Sequence, residues 1–157
     1  MKLKKLKMKK VYLIILSALM VITVNGQNCW WLKGATGGGT GDDVGNSVAT
    51  DKKSNLYVCG DFSGPTIKLG TTTLNNSQSG SNYGGVFLAK YRPSGAFLWA
   101  KGASAGQSNS VATDKSGNVY VTGSFNTNGI TFGTTTLTSV GYEDIFLVNV
   151  NLQHNVD

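Results

Sequence analysis

The side chains best suited to chemistry are few. Asp42 and Asp43 sit together in GGGTGDDVG, residues 37–45, and paired carboxylates on a glycine-rich loop are hard oxygen ligands of the kind Ca2+ takes. The stretch follows a calcium-binding nonapeptide only in part, because it occurs once and Gly45 stands where a large apolar residue belongs. The plainer reading is a connector with solvated acids. Asp42 and Asp43 are therefore the candidate Ca2+ ligands, and no other cofactor is expected. Glu143 with Asp144 reads as a solvated cap at the start of a strand, while Asp51 and Asp114 each precede a turn, where Asp bonds to backbone two residues on. His154 is the only histidine and stands fourth from the end, so no Ser/His/Asp or Cys/His set has a base. No enzymatic activity is expected. Cys29 and Cys59 are not spaced as metal ligands, and sequence alone cannot bring their Cα atoms within the ~7 Å that bridging needs. Trp31 and Trp99 fall at equivalent points of a repeat, which suits packing. Trp30 has Leu98 as its counterpart and is the candidate for stacking on a sugar ring.

The elements that must position these residues come from a duplication. NSVATDKKSNLYVCG at Asn46 to Gly60 returns as NSVATDKSGNVYVTG at Asn109 to Gly123, sixty-three positions later. TIKLGTTTL returns as GITFGTTTL, GGVFLAKY as EDIFLVNV, and CWWLKGAT (29–36) as FLWAKGAS (97–104). Each piece alternates apolar with polar residues, as strands do, and DKSGN, DKKSN and RPSG are hairpin chemistry. The order is strand, tight turn, strand, longer Gly/Thr/Ser-rich excursion, strand, tight turn, strand. Nothing after residue 26 has helical periodicity. The chain is predicted to be all-β, built from four-stranded antiparallel units of sixty-odd residues, and that is how β-propeller blades look in sequence.

Charge says more about address than about partner. Six of the fourteen Lys and Arg lie in MKLKKLKMKK, and VYLIILSALMVITV follows without a charge. A basic stretch, fourteen apolar residues and a small residue at Gly26 read as a signal peptide over 1–26, too short to span a bilayer comfortably. Export to the periplasm, cell surface or medium is the expectation. The remaining chain is near neutral, with eight basic and eight acidic residues, and has no basic patch interleaved with aromatics. That argues against nucleic acid.

GNSVATDKSGNVYVTGSF, DIFLVNV and GAFLWAKG together resemble the secreted bacterial β-propeller repeat, the SBBP repeat, over about residues 29–150. The resemblance implies a propeller fold and an exported context, and brings no defined activity. Three residues depart from its pattern: Ser54 for the turn Gly, Cys59 for Thr, and Gly85 where the second unit has Asp144. On this frame residues 27–157 form a partial propeller: 29–34 as the outermost strand of a blade, 46–102 as a complete blade, and 109–150 as a three-stranded blade. Two blades cannot close a ring of four to eight, and each end leaves an apolar face in water. Either several chains assemble, or the sequence is part of a longer array, and its end in mid-turn favours the second. The expected partner is further blades or another protein, and a carbohydrate is the alternative.

Overall fold

The computed structural model describes residues 33–38, 41–77 and 84–150, and these are β throughout. The expected signal-peptide helix, the strand at 29–34 up to residue 32, Cys29, Trp30, Trp31 and His154 lie outside the described residues. The strands are β1 (Thr36–Gly38), β2 (Asp43–Thr50), β3 (Leu56–Phe62), β4 (Thr66–Leu69), β5 (Thr72–Asn75) and β6 (Gly85–Tyr91). They continue as β7 (Phe97–Ser104), β8 (Gly106–Thr113), β9 (Val119–Asn126), β10 (Ile130–Phe132), β11 (Thr135–Leu137) and β12 (Glu143–Val150).

Two antiparallel meanders carry the architecture. The first has the order β2-β3-β6-β7, and the second, in the same sense, β8-β9-β12. The repeated turns close them alike: Ser54 N–H donates to Asp51 O at 2.8 Å, and Gly117 N–H to Asp114 O at 3.2 Å. Ser54 takes the left-handed φ of 58° that Gly117 takes at 90°. The departure at Ser54 therefore leaves the turn's form intact and places strain in it, since a side chain disfavours that conformation by roughly 1–2 kcal/mol. The excursion after β3 is itself a hairpin. β4 pairs with β5 across Gly70 and Thr71, with Gly70 at φ 59°, and β10 with β11 repeats the device at Gly133.

The connectors are shorter than the sequence suggests. SAGQSNS, which reads as a loop by composition, is strand on both sides of a single residue, Ala105, held at φ 68°. GGGTGDDVG likewise contributes Thr36–Gly38 to a pairing with β4 and begins β2 at Asp43. Small polar residues serve as strand here because each first strand is flanked by backbone at close range. A Cβ on Gly60 would come within 2.0 Å of Val44 O, and one on Gly123 equally near Gln107 O. Opposite each glycine the first strand bulges, between Gly45 and Ser47 and between Ser108 and Ser110, turning Asn46 and Asn109 out of the ladder.

Alternation gives each sheet two faces, which we call forward and rear. Tyr57, Cys59, Val86 and Leu88 form the forward face of the first sheet, and share one core with Val111, Val119, Val121, Phe125 and Phe146 of the second sheet's rear side and Ile130 of its β10–β11 hairpin. The first sheet's own rear face (Phe62, Phe87, Ala89, Tyr91) is covered by Ile67 and Leu69 of its β4–β5 hairpin in another core. At about 1.5–3 kcal/mol for each large apolar side chain removed from water, the shared core is what joins the two sheets.

Candidate functional site

The described side chains with the richest polar geometry lie where the two sheets meet. Asp61 stands on β3 at the sheet junction, and its Oδ2 accepts from Asn46 Nδ2 at 2.7 Å. Its Oδ1 accepts from the Ser108 N–H of the other sheet at 2.5 Å, and Asn46 Nδ2 also donates to Ser108 O. The β2 bulge is what aims Asn46 across the gap. Burial pushes the Asp61 carboxyl above its ordinary value, and the bonds from Ser108 and Asn46 only partly offset that. Behind it the Cys59 thiol is fully buried and shifted upward by burial. Ser108 Oγ, also fully buried, lies beside both that sulfur and the Asp61 carboxylate. At the far end of the same strands Thr113 Oγ1 donates to Thr50 O at 2.7 Å, a bond between equivalent positions of the repeat.

The two Asp hairpins are near copies. Asp51 Oδ1 accepts from the Lys53 and Asn55 N–H groups, both at 2.9 Å, and its Oδ2 from Asn55 Nδ2 and the Tyr57 hydroxyl. Asp114 does the same with Ser116, Asn118 and Tyr120. Burial raises Asp51, but the donors outweigh it and hold the carboxyl below its usual range; at Asp114 the Asn118 side chain leads the same downward shift. The turn-former reading of both aspartates is thus borne out by their bonds. Between the hairpins lies a cleft of about 320 Å³ lined by Lys52, Lys53, Lys90, Lys115, Asp51 and Tyr57. Lys90 is anchored in it, 3.6 Å from Asp51 Oδ2 and 4.7 Å above the Tyr57 ring. It supplies the only ion pair among the described residues.

Of the residues singled out by sequence, Asp42 and Asp43 lie side by side and exposed at the start of β2. Asp42 ties backbone to backbone: its O accepts from Ser63 N–H at 2.9 Å, and its N–H donates to Ser63 Oγ. Burial and the neighbouring Asp42 raise the Asp43 carboxyl. No third acid, Cys or His joins them, and no metal-holding group of three such residues occurs among the described residues. Asp144 caps its loop by accepting from Val140 N–H at 2.9 Å. Trp99 packs on the shared core, edge to face with Tyr57 at 6.1 Å, in keeping with the packing reading. Sequence reasoning passed over Asp61, Asn46 and Lys90. The signal was present, since Asp61 is the one charge in LYVCGDF where the second copy has Ser124, and Lys90 stands where it has Asn149.

Antiparallel meanders of this order, repeated in one sense and packed forward face to rear face, define β-propeller blades, here one of four strands and one of three described strands. Residues 100–132 match the family model of SBBP, the Beta-propeller repeat, a stretch running from the end of β7 through β10. That stretch is similar to an SBBP repeat, consistent with the resemblance read from the sequence. Comparison with curated proteins and with solved structures returned no match.

Proposed function

We propose that the chain is a non-enzymatic scaffold, exported by residues 1–26, that works by docking its blade faces onto other protein surfaces. One observation carries this. Ile145 and Leu147 on the second sheet are 85% and 72% exposed, at positions where the first sheet buries Val86 and Leu88. Supporting it, the described carboxylates Asp51 and Asp114 are saturated by donors from their own hairpins, and Cys59 is a thiol that burial keeps protonated. The test is the mass of the purified full chain by light scattering over a range of concentrations. Association that grows with concentration is expected; a folded species of single-chain mass throughout would contradict the reading.

The hairpin cleft favours a second reading, a carbohydrate module. Four lysines and Tyr57 around about 320 Å³ suit a sugar bearing acid groups. Titration with a sulfated glycan, followed by tryptophan fluorescence, separates the two, since Trp99 touches Tyr57. Quenching by the sulfated glycan and not by its neutral parent would favour the module.

A further inference from the structure

From the internal repeat we infer that the forward face of the second blade receives the rear face of a second copy of this chain, head to tail. The inference rests on the scaffold reading and names its partner. The junction inside the chain is the template: Val86 and Leu88 of the first sheet, 3% and 4% exposed, are covered by Val111, Val119 and Val121 of the second. Aligning VFLAKY over IFLVNV puts Ile145 and Leu147 at those covered positions, and they are bare. The counterpart of Val111, which is 5% exposed, is Val48, which is 60% exposed. One molecule therefore displays both halves of an interface that it already makes once, and contact between unlike faces of two copies is heterologous.

The polar bonds transfer as well. By the repeat, Asn109 takes the part of Asn46 and donates to Gly45 O of the second copy, Ser124 Oγ replaces Asp61 as acceptor for that copy's Gly45 N–H, and that copy's Thr50 takes the part of Thr113, its Oγ1 donating to Thr113 O.

Two full-length variants test this. Ile145→Asp with Leu147→Asp blocks the forward face, and Val48→Asp blocks the rear one. All three side chains are exposed, so each variant is expected to keep the wild-type β-sheet circular dichroism; should either lose it, Leu147→Lys and Val48→Lys take their place. Wild type is expected to associate, each variant alone to remain a single chain, and their equimolar mixture to give a species of twice the single-chain mass. Self-association by either variant alone overturns the inference. So does a mixture that stays monomeric while wild type associates, an outcome that leaves the scaffold reading standing; a monomeric wild type defeats both.

Discussion

Leu88 and Leu147 hold the same place in the two sheets, opposite Cys59 and Thr122 respectively, yet one is 4% exposed and the other 72%. Their strands, VFLAKY and IFLVNV, share the same apolar pattern and the same register against the neighbouring strand. The difference is the neighbour: β6 has a second sheet against its forward face and β12 has no described one. A blade is thus a local solution for the backbone and an unfinished one for the side chains, which is how stacked repeats divide their stability between units and interfaces.

The comparison breaks most easily at the leucines. Leu88→Ala is expected to cost 2–5 kcal/mol, as Leu to Ala does in packed cores, while Leu147→Ala at low protein concentration stays within about 0.5 kcal/mol of wild type. Denaturant melts of the two variants check this, and equal losses would mean that the sheets do not pack as described. Next is the polar junction. Asp61→Ala leaves the Ser108 N–H without its acceptor and is expected to cost about 1–3 kcal/mol. Ser124→Ala, at the equivalent place, costs less because the described chain bonds nothing across to it.

A pH series sharpens the same point. The Asp61 carboxyl is raised in the folded chain, so its contribution to stability is full below the unfolded value of ~3.9 and is lost as pH rises through the folded value. Asp51 has the opposite sign: held low, it stabilises above that unfolded value and ceases to as pH falls through its folded one. Comparing the stability–pH profiles of Asp61→Ala and wild type should show the upper slope flattened in the variant. The smallest effect belongs to the turns. Ser54→Gly is expected to stabilise by about 1 kcal/mol by relieving the left-handed φ of 58°, and Gly117→Ala to destabilise by a similar amount, read as shifts in melting midpoint.

Much of this was legible because period-2 alternation and hairpin residues act locally. LYVCG and VYVTG announce strands, and DKSGN its turn, within a few residues of chain. What escaped was set by distance or by context. Asp61 meets partners fifteen and forty-seven residues away, so nothing near it in the chain declares a junction. SAGQSNS carries no apolar alternation because its residues are small and polar, the character that lets a first strand run against the backbone of its neighbours. Asp42, conspicuous in sequence for its carboxylate, bonds Ser63 through its backbone just ahead of β2, and those partners lie twenty-one residues away.

The most direct measurement is hydrogen exchange of β6, Gly85–Tyr91, against β12, Glu143–Val150, in the full chain at rising concentration. The account expects β6 to be protected throughout and β12 to open fast when dilute and gain protection as copies meet. Equal protection of the two strands in dilute solution, or a β12 that never gains any, would contradict it.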